Sequence, residues 1–235
     1  MDRVKVEATA PVLPAMPDRE FLQNGAKRLG ECLSAQVSDQ LLIYARELER
    51  WNRKINLVGP APFQQMLENH FLDSLTLLPI LQAQKSSQTL LDIGSGAGFP
   101  GLVLACVFPN TRFVLAEPRL KKVSFLKQVI RLLHLTNVEI VTERLTKTAP
   151  ATLLAIGFPL ITSRAFANIS DFLALAEPFC RPGGQVICMK GPKALTETEE
   201  WLRNTTAHHF TLSDLQETAL PFSGASRSIL TFTKK

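Results

Sequence analysis

An α/β fold, with a mostly parallel sheet that ends in an antiparallel edge strand and a helical appendage in front of it, is predicted by three observations. From residue 89 onward, short apolar runs alternate with helix-period stretches, the pattern that puts parallel strands between covering helices. The last two apolar runs, near 210–218 and 228–233, have no helical stretch between them, so they must pair as a hairpin or near-hairpin. Residues 17–86 read as helices alone.

The first sixteen residues, with Pro11, Pro14 and no clear period, are expected to form a mobile tail. A short helix over 18–29 follows. Ser38 is predicted to cap a second helix, in which Leu41, Tyr44, Leu48, Trp51 and Ile55 recur every three or four residues. Arg46, Arg50, Arg53 and Lys54 lie on another face, either a solvated surface diluted by Glu47 and Glu49 or a contact to phosphate. A third helix is predicted over 62–84. Within it His70 and Asp73 share a face, structural if they pin a neighbouring helix and functional if they lie near a ligand.

Lys85, Ser86, Ser87 and Gln88 form a polar break, read as the boundary between a helical region 17–86 and a second unit 87–235. That unit begins with strand 89–93, helix 100–108 and strand 111–116. Pro118 ends the last of these, because the residue before a proline resists helix. Helix 119–135 buries Val123, Phe125, Leu126, Val129, Ile130 and Leu133. Strands 138–142 and 160–163, helix 170–179, a turn at 181–184, strand 185–190, a helix near 194–204 and the closing strand pair complete the expected order.

Composition narrows the function classes. At 235 residues the chain can bury a substantial core as one domain or one domain with an appendage. Cys32, Cys106, Cys180 and Cys188 show no paired or metal-ligand spacing, which favours reduced structural thiols. No apolar run is long enough to span a membrane and no signal layout opens the sequence, so a cytoplasmic protein without bound metal is expected. His208 and His209 read as a surface pair, since no cysteine or acid cluster lies nearby. The net charge is +5. Arg119, Lys121, Lys122, Lys127, Arg131, Arg144 and Lys147, opposed only by Glu139 and Glu143, match that surplus within one segment. Such a segment suits a polyanion, nucleic acid first, or is merely a solvated face.

The stretch Leu91, Asp92, Ile93, Gly94, Ser95, Gly96, Ala97, Gly98, Phe99, Pro100, Gly101 is a strand, a glycine-rich turn and a helix start. Its glycines let backbone approach a flat ligand. The spacing formally fits the dinucleotide fingerprint, with Glu117 where a ribose-binding acid would lie, and a tight turn without ligand would also fit. Asp92 would repel a pyrophosphate at the helix N-terminus. S-adenosylmethionine has no phosphate and carries an ammonium and a sulfonium, so acids at 92 and 117 suit it better. A dinucleotide half-fold also continues in parallel units, whereas methyltransferase sheets commonly end on an antiparallel strand.

At this point the residues resemble a family. Trp51, Asn52, Arg53, Lys54, Ile55, Asn56, Leu57, then His70, Phe71, Leu72, Asp73, Ser74, Leu75, then the glycine stretch, are similar to the RsmG (GidB) rRNA methyltransferases. Lys121, Lys122, Phe125, Leu126, Ser163, Arg164, Ala165, Lys190, Gly191 and Arg227 fit the same pattern. The resemblance covers roughly residues 40–235, and the joint spacing is specific where each motif alone is not. It implies a class I, Rossmann-like S-adenosylmethionine-dependent methyltransferase domain over 87–235. The implied reaction is methylation of N7 of one guanine (the guanine-527 type position of the 530 loop) in 16S rRNA or the small ribosomal subunit, by a monomer.

By motif, Gly94, Phe99, Leu145, Thr146 and Arg164 would border the cofactor, together with Asp92, Gly96, Gly98 and Glu117 from the turn argument. The family usually has an acid where this chain has Thr146, and an aspartate where it has Glu117. The end of the fourth strand reads Ser163, Arg164, Ala165, Phe166 and lacks the Asn/Asp-Pro-Pro-aromatic tetrad of amino-group methylation. No cysteine lies in a nucleophile motif of the kind that carbon-5 pyrimidine methylation needs. Guanine N7 has an in-plane lone pair and no proton to lose, so positioning suffices. Arg164, Arg144 and Lys190, assisted by Arg227, are the candidates to orient the base or its phosphates, unless they pair with carboxylates in the fold. Phe99 and Phe166 either stack on cofactor or base or pack in the core. A small-molecule methyltransferase and a dinucleotide oxidoreductase are the competing readings.

Overall fold

The computed structural model describes residues 13–84, 89–146, 151–164, 166, 168–203 and 209–235. Seven strands form one sheet in the order β3-β2-β1-β4-β5-β7-β6. Strands β1 (Thr89–Ile93), β2 (Arg112–Ala116), β3 (Val138–Val141), β4 (Phe158–Arg164) and β5 (Cys180–Lys190) run parallel to one another. Strands β6 (Phe210–Ala219) and β7 (Ser226–Lys234) form the expected hairpin, with β7 antiparallel to β5. The order reverses direction between β1 and β4, and in open α/β sheets ligands bind in the crevice at the carboxyl ends of strands flanking such a switch.

Helices α1 (Asp18–Arg28), α2 (Ala35–Asn52), α6 (Gly101–Val107) and α7 (Leu120–Leu132) pack into one hydrophobic cluster with the sheet. That cluster joins Phe21, Leu41, Tyr44 and Phe71 from the N-terminal region to Leu90, Leu102, Phe113 and Phe125 from the second unit. The opposite face carries α8 (Ala151–Leu154), α9 (Ile169–Ala176) and α10 (Ala194–Arg203), with Phe172, Phe179, Trp201 and Phe232 in a second cluster. Both sheet faces are therefore covered, which is why β1 is almost wholly buried.

Several local expectations change. Ser34, not Ser38, caps α2: its hydroxyl accepts from Val37 N at 3.2 Å, while buried Ser38 donates back to Ser34 O. Within the expected tail, Leu13 and Met16 pack against the core and Gln64 Nε2 donates to Met16 O at 2.6 Å, while residues 1–12 lie outside the described residues. The single helix over 62–84 is broken into α3 (Phe63–Met66), a π-helical stretch Leu67–Leu72, α4 (Asp73–Leu75) and α5 (Leu78–Gln82). Ser74 and Thr76 hydroxyls bond back to His70 O and Asp73 O, and Pro79 has no N–H to continue the ladder. The turn expected at 181–184 is absorbed into β5, where partners jump from Phe158↔Cys180 to Leu160↔Gln185. The short helix α8 has no counterpart in the order expected from the sequence. The break at 85–88 lies outside the described residues, as do Lys147, Ala165 and His208.

Candidate active site

The glycine turn after β1 takes its shape from three left-handed residues, Gly94, Gly96 and Gly98, with φ of 73°, 61° and 93°. Each glycine has a different neighbour. A Cβ on Gly94 would meet no atom of the described residues within 4 Å, whereas one on Gly98 would come within 2.5 Å of the Tyr44 hydroxyl. Tyr44 donates that hydroxyl to Ala97 O, so α2 fastens the turn from below. Glu117, at the end of β2, holds the turn from the side: Oε2 accepts from Gly96 N at 3.0 Å and Oε1 from Arg119 N at 2.9 Å.

Above the turn lies a cavity of about 510 Å³. Gly94, Ser95, Gly96, Phe99, Glu117 and Arg164 line it, with Arg119, Lys122 and Arg144 adding positive charge. Ser95 Oγ is buried there without a hydrogen-bond partner among the described residues. A more apolar recess of about 290 Å³ shares Gly94, Pro118, Arg144 and Phe166 with it and adds Ile93, Ala116, Leu145 and Leu175. The two spaces together sit over the carboxyl ends of β1, β2 and β4, at the switch point.

Asp92 lies elsewhere. It is fully buried beneath the turn, and its Oδ2 accepts from Gly101 N at 2.9 Å while Oδ1 has no partner among the described residues. Burial pushes its carboxyl up to about 8, only partly offset by the Gly101 N–H and Arg164. The acid expected to attract a cation thus caps the helix N-terminus that a pyrophosphate would need. The Asp92 proton bound in the folded state is absent from the unfolded chain above about pH 4, so its contribution to stability is full below that point and is lost as pH rises toward 8. Asp92→Asn, which keeps an oxygen for Gly101 N–H, should flatten this decline. Urea midpoints from pH 5 to 8 check it: wild type should weaken with pH relative to the variant, and parallel curves would refute the assignment.

Arg164 ends β4 and forms a cavity wall. Its Nη1 donates to Asn69 O at 3.0 Å and to Asp73 Oδ2 at 3.3 Å, Nη2 meets His70 Nδ1 at 2.9 Å, and the guanidinium lies 4.8 Å from the Phe99 ring centroid. Burial, then Arg164 and Arg227, drive the His70 imidazole down to about 3, so it is neutral and Nδ1 is the acceptor. The Nε–H and one Nη2–H of Arg164 have no partner among the described residues.

The other basic candidates separate. Arg227 reaches the same Asp73 through Nε at 2.6 Å. Buried Lys190 pairs with Glu197 at 2.8 Å and donates to Phe166 O at 3.0 Å. Arg144 lines both spaces, and no carboxylate among the described residues pairs with it. Of the second-helix cations, Arg46 pairs with Asp18 and Arg50 with Glu47. Leu145 is buried at the recess, and exposed Thr146 follows it. Phe99 is enclosed by Tyr44, His70 and Phe71. Phe166 faces both spaces, with its ring 5.2 Å from that of Phe172. Among the described residues no group of three His, Cys, Asp or Glu side chains is placed to hold a metal, and no helix is long and apolar enough to cross a membrane.

The sheet order and the glycine turn at its switch point define a class I, Rossmann-like S-adenosylmethionine-dependent methyltransferase. Two solved structures share the fold: MtNAS in complex with MTA and tNA (14% identical, TM-score 0.55, covering 85% of this chain and 73% of that one), and a predicted O-methyltransferase from Agrobacterium tumefaciens (18%, TM-score 0.51, 65% and 76%). The chain belongs to the GidB family, rRNA small subunit methyltransferase G, whose profile matches residues 37–229. It is 40% identical over 210 residues to ribosomal RNA small subunit methyltransferase G of Desulfotalea psychrophila, covering 89% of this chain and 95% of that protein. The corresponding Geobacter sp. (strain M21) protein is 36% identical over 212 residues, covering 90% and 95%.

Proposed function

We propose that this protein methylates N7 of one guanine in the 530 loop of 16S rRNA, acting in the cytoplasm as a monomer with S-adenosylmethionine as donor. The observation that carries the proposal is that a glycine cradle and a carboxylate meet a wall of cations in one cavity. The cradle fits the donor: Gly94 leaves open the space a Cβ would fill, Ser95 Oγ is a buried polar atom awaiting a partner, and Glu117 is held at the rim. S-adenosylmethionine would supply an electrophilic methyl group.

Gly94, Gly96, Phe99, Glu117 and Arg164 would border the donor in the larger space, and Leu145 and Thr146 would close the recess. Asp92 and Gly98 would act from beneath, by holding the turn. Arg164 would present its remaining N–H groups to the base or donor, and Arg144, Arg119 and Lys122 would meet RNA phosphate. Lys190 would fix the position of Phe166 through its carbonyl, and Arg227 would steady the arginine wall.

None of these residues has to remove a proton, because the guanine nitrogen carries none. The titratable side chains agree: His70 is held neutral by burial and then by Arg164, and burial pushes the Cys106, Cys180 and Cys188 thiols up to about 12, 11 and 12, well away from nucleophilic thiolates. Mapping of methylated guanines in small-subunit rRNA, from cells with and without the protein, tests the proposal. One N7-methylguanine should disappear with the gene. An unchanged map would favour a small-molecule substrate, for which affinity toward rRNA should follow bulk charge alone.

A further inference from the structure

Arg164 is placed by groups far from it in sequence. The π-helical stretch Leu67–Leu72 and the first residue after it supply three acceptors to one guanidinium: Asn69 O, His70 Nδ1 and Asp73 Oδ2. Such widened turns shift the side chains of a helix relative to its regular ladder and often occur at functional sites. Asp73 is 4% exposed, and its second oxygen takes Arg227 Nε from β7 at 2.6 Å. One buried carboxylate therefore holds two arginines, from strands that flank β5 on opposite sides.

The same stretch also secures the hairpin that delivers Arg227. Glu68 is fully buried, and its Oε1 accepts from Phe222 N at 2.7 Å and Ser223 N at 2.8 Å, fixing the turn between β6 and β7. Phe222 stacks on Phe21 at 4.2 Å between centroids, and Arg28 donates to Pro221 O at 2.8 Å. Arg227 arrives at Asp73 on a hairpin tied down at its tip.

We infer that Asp73 is a positioning residue for methyl transfer: with Arg227 filling its far oxygen, it sets the Arg164 guanidinium against the cavity so that the Nε–H and one Nη2–H face the occupant. Without Arg227, Asp73 could turn both oxygens to Arg164 and draw the guanidinium out of the wall. Without Asp73, two cations would face each other across a buried gap. The inference rests on the proposed methyltransferase cavity, and it concerns a residue that does not itself line that cavity.

A double-mutant cycle tests it on the full-length protein, with Asp73→Asn, Arg164→Ala and the pair. Each is assayed for turnover on small ribosomal subunits and for S-adenosylhomocysteine affinity by calorimetry. Asp73→Asn should lower turnover about 10-fold or more, and the pair should be no worse than Arg164→Ala alone, because the interaction is already gone. Asp73→Glu, which keeps the charge, should recover part of the loss. Losses that multiply in the pair, an Asp73→Asn protein that is less stable yet turns over normally, or failure of both Asp73 variants to fold would each overturn the inference. A wild-type protein that leaves guanine unmethylated would instead sink the proposed substrate, while the affinity arm of the cycle would still report on Asp73.

Discussion

Gly101→Ala should unfold the protein or bring it close to unfolding, whereas Gly94→Ala, seven residues earlier, should fold and fail to bind its donor. The two glycines serve opposite purposes. A Cβ at 101 would lie 2.5 Å from Leu115 Cδ2 and 2.8 Å from Asp92 Oδ2, both in the packed interior. Overpacking of this kind costs about 1–3 kcal/mol. Displacing Asp92 also breaks its bond to Gly101 N and leaves the buried carboxyl unsatisfied, a further cost of about 1–3 kcal/mol. At 94 the added methyl meets nothing, and the cost is the left-handed φ of 73°, about 1–2 kcal/mol. That methyl would occupy the cradle. Thermal denaturation and calorimetry with S-adenosylhomocysteine separate the cases: Gly94→Ala should retain a cooperative transition and lose at least 10-fold in affinity. Tight binding by Gly94→Ala would remove this face of the turn from the site.

The second large effect is expected at Arg164. Arg164→Ala should reduce methylation of small subunits about 100-fold or more, since the cavity wall loses its guanidinium. Stability should fall less completely. Asn69 O and His70 Nδ1 lose a donor, a cost of about 2–3 kcal/mol, and Asp73 keeps Arg227. For a chain of this size that corresponds to a melting-temperature drop of roughly 4–12 °C. Methylation that tracks only the folded fraction would show Arg164 to be structural.

The elements were legible wherever period and punctuation agree. Pro118 ends β2 as its restriction on the preceding residue requires, and the apolar spacing of Val123, Leu126 and Val129 marks α7. The glycine turn declared its place between β1 and α6. The missed features depend on partners distant in sequence. Ser34 and Ser38 look alike as caps, and only the burial of Ser38 under the packed face of α2 decides between them. The widened turn at 67–72 leaves no signature in composition, although Ser74, Thr76 and Pro79 all weaken a regular ladder after it.

The site shows the same division. Gly94, Gly96, Phe99, Glu117, Arg144 and Arg164 converge on one cavity because each follows, or closely follows, the carboxyl end of a parallel strand, something the alternation alone implies. The sequence marks Asp92 as a charged ligand; burial, which no local pattern reveals, pushes its carboxyl up to about 8 and makes it a cap. In the sequence Arg164 and Arg227 fit either cations facing a substrate or partners of carboxylates, and the carboxylate they share lies 91 and 154 residues away. The spacing of His70 and Asp73 on one helix face was the available hint.

The hydrophobic cluster that spans α2, α6 and β1 has a consequence for how the chain comes off the ribosome. Phe21, Leu41, Tyr44 and Phe71 are translated well before Leu102 and Phe113, against which they will be buried. The emerging helices must wait with oily sides bare until the first strands follow, an invitation to chaperones or to premature association. Since Ala97 receives its hydroxyl partner only when those early helices dock, the glycine turn takes its final form only after α2 and the first strands have come together.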